Sequence, residues 1–104
     1  ITTSDEIDDP NKLSVTGSID EDDFTNDHTS NYRFSIQKCI SEASSYFTLE
    51  AGDLISFGTT GKGTDKFPRG HKSLLIGEQK GLINIRIEKL GMLSNPIKHQ
   101  KGGA

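Results

Sequence analysis

INIRIE, at residues 83–88, is the clearest strand pattern in the chain and decides its fold class. Isoleucine occupies every second position and polar or charged residues stand between, which is the period of a half-buried β-strand. Leu13, Val15 and Ile19 alternate with polar residues in the same way, although Gly17 interrupts the pattern. These two segments predict that the chain is built mainly from β-strands.

One segment has a helical period instead, and it predicts a helix over residues 35–46. The hydroxyl of Ser35 can accept a hydrogen bond from a free amide of the first turn, so Ser35 suits the position that caps the helix. The apolar residues that recur at helical spacing are Ile36, Cys39, Ile40, Ala43 and Phe47. We interpret Cys39 as a small core residue on this stripe rather than a catalytic thiol, because no nearby cation would lower its pKa.

The remaining segments carry weaker signals. The apolar run Leu54–Phe57 predicts a strand, residues 20–31 predict an exposed loop, and residues 65–81 predict irregular structure with at most one short strand near Leu74–Ile76. The polar tail Lys98–Ala104 is expected to fray. Together the patterns predict a mainly β, α+β chain with one helix.

Composition limits both the size of the core and the choice of partners. The chain has 104 residues, enough for one domain, and hydrophobic residues make up 31% of it, so little apolar surface is available for burial. We therefore expect stability to depend on contacts outside these residues. The net charge is −3, and no basic face for a phosphate backbone is evident, which argues against nucleic acid as a partner.

The single cysteine and the short apolar runs bear on location. Cys39 excludes an intrachain disulfide and fits a reducing, cytoplasmic setting. The longest apolar runs are far shorter than the ~20 residues that span a bilayer, so no membrane association is expected. Ile1 leads directly into patterned sequence, and we expect that further polypeptide precedes it. The acidic runs 5–9 and 20–23 are interpreted as solvated loops, because neither matches a calcium-binding loop.

The loop Gly58–Thr64 is the segment whose composition calls for a functional explanation. It is not a phosphate-binding P-loop, because the glycine spacing before Lys62 is wrong and Gly63 follows where Ser or Thr is required. Two interpretations remain open. The loop is either a ligand-free connection between strands or an anion-binding turn in which backbone amides and the Thr59 hydroxyl converge on a carboxylate.

Other catalytic groups are not evident from spacing. The three histidines His28, His71 and His99 lack a Ser or Cys partner at a recognisable distance along the chain, and we interpret them as surface residues. Paired carboxylates on a rigid element, which a magnesium site or acid–base catalysis would require, are also missing from the pattern.

Two segments resemble the fumarylacetoacetate hydrolase family. FTLEAGDLISFGT, at residues 47–59, is similar to the family segment FMTLEPGDVILTGTPAGVG, and INIRIEKLGMLSNPI, at residues 83–97, is similar to its closing VEIEIEGLGVLRNPV. Residues 1–13 and 32–36 resemble the family's IVTPDEIPDPQNL and MIFSV more loosely. The resemblance covers nearly the whole chain but only the second half of the family's catalytic domain.

The resemblance implies a role in binding substrate. It places Thr59 at the family threonine that contacts the substrate carboxylate, with Gly58 allowing the close approach. It also implies a mixed β-sandwich or roll, with residues 1–97 as the C-terminal part of the catalytic domain and residues 98–104 as a tail. Family members hydrolyse, decarboxylate, hydrate or dehydrate small 2-oxo acids with Mg²⁺ or Mn²⁺, and all the metal carboxylates precede the segment present here.

The expected partners follow from the same resemblance. They are a small carboxylate substrate, the missing N-terminal half of the same protein and a second copy in a homodimer. The parent protein would be an enzyme, whereas the isolated chain is expected to be inactive. The alternative is a non-catalytic β-rich assembly module or degenerate relative.

Some residues depart from the family pattern. Thr60 replaces the usual proline, residues 61–64 do not reproduce the family's AGVG, and residues 25–27 read TND where many members have RQD. The Lys62 side chain is interpreted as solvated, and its alternative role is to contact a second substrate carboxylate.

Overall fold

The computed structural model describes residues 1–100, which form one four-stranded antiparallel sheet and one α-helix. The elements are β1 (Ser14–Ile19), β2 (Asp22–His28), α1 (Ile36–Tyr46), β3 (Gly81–Ile87) and β4 (Gly91–Ile97). Short 3-10 helices lie at Ser4–Glu6, Thr29–Asn31, Gly70–Ser73 and Ile76–Glu78. The predicted α+β class with one helix is confirmed.

The strand order β2-β1-β3-β4 joins the two halves of the chain. β1 and β2 form a hairpin, and β3 and β4 form a second one. β1 also pairs with β3, with Gly17 opposite Ile85, so the strands predicted from residues 13–19 and 83–88 are neighbours. The sheet therefore depends on a contact between segments more than 60 residues apart.

The prediction of an exposed loop over residues 20–31 is wrong. Asp22–His28 is a strand, and only Asp20 and Glu21 turn the chain. Asp20 adopts the left-handed conformation, with φ of 51°, which Asp tolerates better than most residues. The acidic run at residues 20–23 led to the loop prediction. Its charges lie at the turn and on the exposed side of the strand, whereas Phe24 and Thr25 are buried.

The hydrophobic core is small and lies against the first hairpin. Leu13, Ile19 and Phe24 are the buried apolar residues of the described chain. Gly17 lies beneath the Phe24 ring at an irregularity in the β1–β2 register. A Cβ at position 17 would stand 2.6 Å from two ring carbons of Phe24, so only glycine fits there without a shift.

The helix is confirmed, but its apolar stripe is not buried. The Ser35 hydroxyl accepts a hydrogen bond from the Lys38 amide at 3.1 Å, as predicted for the cap. The Asn11 side chain holds the start of α1 by accepting from the Ile36 amide at 3.0 Å and donating to Gln37 at 2.6 Å. No residue of α1 is buried, and Cys39 is only half-buried, so its interpretation as a core residue is wrong for the described chain.

One further strand prediction is wrong. Residues 54–57 form no strand, and Leu54 is 97% exposed, because no other strand among residues 1–100 pairs with this run. Residues 74 and 75 form no strand and lead into the 3-10 helix Ile76–Glu78, which agrees with the prediction of irregular structure with at most one short strand there. An apolar run becomes a strand only where a neighbour satisfies its backbone groups.

The C-terminal tail is described only in part. Residues 98–100 continue from β4 without regular structure, and residues 101–104 of the predicted tail lie outside the described residues. Within residues 1–100, none of the helices combines the length and apolar character that a membrane crossing requires.

Candidate functional site

The loop Gly58–Thr64 is fastened to β2 through its own backbone. The Lys62 carbonyl accepts a hydrogen bond from the Thr25 hydroxyl at 2.7 Å and a longer one from the Asn26 amide at 3.4 Å. The Lys62 amide donates to the Asp27 carboxylate at 2.8 Å. Lys62 therefore anchors the loop with its main chain, and its side chain is exposed.

Asp27 is the residue on which these contacts converge. Its carboxylate also accepts hydrogen bonds from the His28 amide at 2.8 Å and the Asn31 side chain at 2.7 Å. Burial acts to raise the pKa of the Asp27 carboxyl, but the bonds from Asn31, Lys62 and His28 and the nearby Gly61 amide outweigh it and hold the pKa below its ordinary value. Asp27 thus remains ionised and fixes the loop to the end of β2.

Thr59 follows a glycine with a backbone that other residues rarely adopt. Gly58 has φ of 79°, and its carbonyl accepts a hydrogen bond from the Tyr32 hydroxyl at 3.2 Å. The Thr59 hydroxyl donates to the Thr60 carbonyl at 2.8 Å, yet the residue is exposed overall. A hydroxyl can change its partner by rotating, so this local bond leaves Thr59 able to meet a ligand.

Three cavities meet at Thr59. One of about 320 Å³ lies between the loop and the segment after β2, where Asp27, Tyr32 and Arg33 line it. A second, of about 470 Å³, is lined by Arg69, His71 and Lys72 on its far side. The third, of about 300 Å³, lies against the apolar face of the sheet. Their sizes fall at the lower end of the range for small-molecule sites.

Thr60 lines two of these cavities and is only 9% exposed. Its hydroxyl oxygen is buried and has no hydrogen-bond partner among the described residues. Leaving such a group unsatisfied costs roughly 1–3 kcal/mol. The unsatisfied hydroxyl stands where the family pattern has proline, which carries no such group.

The two residues predicted to bind substrate, Gly58 and Thr59, lie in the loop that borders these cavities, and their binding of a carboxylate stays a prediction. Of the three histidines, His71 lines the cavities at Thr59, whereas His28 bonds to Ser30 and His99 contacts the Gln79 carbonyl, 2.7 Å away in each case. His71 is exposed, as predicted.

Sequence reasoning missed two parts of this site. Asp27 coincides with the aspartate of the family's RQD, but its contacts with the loop depend on amides that only the fold brings to it. The basic residues 69, 71 and 72 do carry a signal, since they stand within four positions in a chain of net negative charge. Because residues 65–81 are predicted to be irregular, the sequence pattern does not indicate that these basic residues lie beside the loop.

The described residues do not by themselves fit a divalent metal. Within residues 1–100, no group of three or more His, Cys, Asp or Glu side chains is close enough together to hold an ion. Mg²⁺ and Mn²⁺ require several oxygen ligands, so we assign no chemical step in this chain to a metal.

Comparison with known proteins identifies the family. The model of the fumarylacetoacetate hydrolase C-terminal domain matches residues 1–98. No solved structure matches significantly.

Three curated proteins are similar to the chain. An uncharacterized protein of Archaeoglobus fulgidus is 36% identical over 86% of this chain, and a fumarylacetoacetate hydrolase domain-containing protein 2 homolog of Dictyostelium discoideum is 34% identical over 86%. The mitochondrial oxaloacetate tautomerase fahd2 of Xenopus laevis is 30% identical over 93%. The matched regions span only 32%, 28% and 29% of these relatives, respectively. The chain belongs to the fumarylacetoacetate hydrolase family and corresponds to its C-terminal domain.

Proposed function

We propose that this chain supplies the carboxylate-binding loop of an enzyme that acts on small 2-oxo acids, with Thr59 and Gly58 as the binding residues. The observation that carries the proposal is the fixed loop: Lys62 and Asp27 hold it against β2 while Thr59 borders three cavities. A loop that is anchored at one point and open to cavities at the next is suited to binding a small ligand.

Thr59 suits a carboxylate because its hydroxyl donates a directional hydrogen bond without bringing a net charge. Gly58 keeps the backbone in the left-handed region, which any side chain at this position would strain. We assign the reaction only to a class. That class comprises C–C hydrolysis, decarboxylation, hydration and dehydration. We assign the Mg²⁺ or Mn²⁺ of the proposed enzyme to polypeptide outside residues 1–100.

A titration with pyruvate tests the role of Thr59. Thr59→Val keeps the shape of the side chain and removes the hydroxyl, and we expect it to weaken binding about tenfold, the effect of losing a hydrogen bond to a charged acceptor. Chemical-shift changes of backbone amides in the isotope-labelled chain would measure the dissociation constants.

Thr48→Val is the matched control, because Thr48 is exposed and lies outside the loop. It should leave the affinity for pyruvate unchanged. Equal affinities for the wild-type chain and Thr59→Val would contradict the proposed function.

We also propose that another polypeptide covers the apolar surface of this chain, and that it is the N-terminal half of the same catalytic domain. The accessible surface is 8165 Å², whereas a compact monomer of 11.4 kDa exposes about 5800 Å². The excess of about 2400 Å² is more than one partner buries in a typical protein–protein interface, about 800 Å². The Cα radius of gyration, 16.5 Å, also exceeds the ~13 Å of a compact chain this long.

The same exposed surface favours a second candidate, an assembly module without turnover. In that case the surface would bind another polypeptide, but the Gly58–Thr64 loop would bind no carboxylate. The pyruvate titration separates the two candidates, because only the enzyme proposal requires that Thr59→Val weaken binding.

A further inference from the structure

The peptide group between Gly58 and Thr59 is held at its carbonyl and free at its amide. The Gly58 carbonyl accepts a hydrogen bond from the Tyr32 hydroxyl at 3.2 Å, whereas the Thr59 amide donates to no acceptor among residues 1–100. In a planar trans peptide group the C=O and the N–H point in opposite directions. The bond from Tyr32 therefore turns the Thr59 N–H away from Tyr32 and leaves it available as a donor.

Tyr32 extends from a part of the chain that is itself well fixed. Its amide donates to the Thr29 carbonyl at 3.2 Å, at the end of the 3-10 helix Thr29–Asn31. Thr29 is buried, and its amide donates to the Leu13 carbonyl at 2.8 Å. The Thr29 hydroxyl accepts from the Leu13 amide at 2.9 Å and donates to the Pro10 carbonyl at 2.8 Å. Tyr32 is thus supported by the segment that leads into β1.

The loop is held on both sides of Thr59. Tyr32 bonds to the residue before Thr59, and Asp27 bonds to the Lys62 amide after it. Both side chains line the cavity of about 320 Å³ that Thr59 also lines. A donor that is already oriented loses less conformational freedom when a ligand binds, which favours affinity. Asp27 fixes the position of the loop, and Tyr32 fixes the orientation of the peptide group at Thr59.

The Tyr32 hydroxyl is a feature of this sequence. The similar family segment MIFSV begins with methionine where residues 32–36 begin with Tyr32. A methionine side chain has no hydrogen-bond donor, so it could not bond to the Gly58 carbonyl. The contact between Tyr32 and Gly58 therefore does not follow from the family pattern.

We propose that Tyr32 is a positioning residue for the Gly58–Thr64 loop, and that it orients the Thr59 amide as a second donor to the carboxylate that the Thr59 hydroxyl binds. This inference rests on the proposed function of Thr59 and adds a backbone donor and the residue that directs it. A carboxylate has two oxygens, so one can accept from the amide and the other from the hydroxyl of the same residue.

NMR titration of the isotope-labelled chain with pyruvate tests the role of the Thr59 amide without any variant. The Thr59 amide proton should shift downfield as pyruvate is added, because its N–H gains a charged acceptor. A Thr59 amide resonance that pyruvate leaves in place, in a chain that binds pyruvate, would overturn the proposal.

Tyr32→Phe tests the positioning itself, because it keeps the ring and removes only the hydroxyl. It should weaken pyruvate binding about 2- to 5-fold, the effect of losing one neutral hydrogen bond. It should also reduce the shift of the Thr59 amide proton at saturating pyruvate. A purely structural role of Tyr32 would leave that saturated shift unchanged, since the bound geometry at Thr59 would be the same.

Tyr46→Phe is the matched control, because it removes the same hydroxyl from a tyrosine that is 75% exposed and lines none of the cavities at Thr59. It should keep both the affinity and the saturated shift of the wild-type chain. The proposal is overturned if Tyr32→Phe matches the wild-type chain in both measurements, or if Tyr46→Phe changes them as much as Tyr32→Phe does.

Failure of the positioning role can be told apart from failure of the proposed function. If Thr59→Val weakens pyruvate binding and Tyr32→Phe does not, Tyr32 does not position the site and the function of Thr59 stands. If the wild-type chain does not bind pyruvate, both proposals are wrong.

Discussion

Asp27 shows how one carboxylate can hold a loop in place. It accepts hydrogen bonds from two amides and one side-chain nitrogen, and the Lys62 amide lies 35 residues away along the chain. Each oxygen of an ionised carboxylate can accept more than one hydrogen bond, which a neutral amide side chain cannot reproduce on both atoms. Position 27 therefore favours Asp over its isostere Asn.

Asp27→Asn should destabilise the chain by about 1–2 kcal/mol at pH 7, since the amide nitrogen cannot accept the bond from Lys62 or His28. The folded pKa of Asp27 lies below its ordinary value of 3.8, so its stabilising effect is fully present above that value and is lost as the pH falls through the lower, folded pKa. Urea unfolding between pH 7 and pH 2 measures both effects.

Asp65→Asn is the control for this variant, because it removes the same charge from an exposed side chain near the loop. It should change stability by less than about 0.5 kcal/mol. If Asp27→Asn and the wild-type chain lost stability in parallel as the pH fell, Asp27 would not be the anchor of the loop.

At the scale of elements, the β1–β2 hairpin contains most of the small buried core, since Ile19 and Phe24 are two of its three buried apolar residues. Gly17 faces Phe24 and Thr25 across the hairpin, and the register shifts by one residue directly after it. The glycine interrupts the hydrophobic alternation of β1, but its missing side chain makes room for the Phe24 ring. Gly17 therefore breaks the alternation of β1 because the packing of Phe24 requires a residue without a side chain there.

Gly17→Ala should destabilise the chain by about 1–3 kcal/mol, because the added methyl group overlaps two carbons of Phe24 at 2.6 Å. Gly77→Ala is the control, since a Cβ there meets no atom within 4 Å. Thermal unfolding followed by circular dichroism compares the two. Similar midpoints for both variants would show that the hairpin core does not pack as described.

The helix and residues 54–57 show what a local sequence pattern can and cannot predict. The helix forms where its period and its Ser35 cap predict it, because both are local properties. The apolar run at 54–57 forms no strand, because pairing requires a neighbour that residues 1–100 do not provide. Local signals decide the type of an element, and its partners decide whether it forms.

At the scale of the whole molecule, exposed apolar residues distinguish this chain from a domain that folds independently. Leu54 is 97% exposed, Tyr46 75% and Phe47 70%. β4 lies at the edge of the sheet, and all its residues except Ile97 are exposed. Exposed apolar residues and an unpaired sheet edge are features of surfaces at which proteins associate.

The chain alone should therefore bind the dye ANS and associate as its concentration rises. Leu54→Lys combined with Phe47→Lys should reduce both effects without lowering the unfolding temperature, because neither side chain is buried here. Thr48→Lys is the control for the added charge. A wild-type chain that binds no dye and sediments as a compact monomer would contradict the proposal that another polypeptide covers this surface.

The sequence by itself determined the strands near 13–19 and 83–88, the helix with its cap and, through two family motifs, the C-terminal domain to which the chain belongs. These features depend on period, capping and motif, which lie within short segments. Only the tertiary structure decided that residues 22–28 form a strand, that Asp27 holds the loop of Thr59, and that Arg69, His71 and Lys72 share a cavity with it. Each of these depends on a contact between residues distant along the chain, which no local pattern encodes.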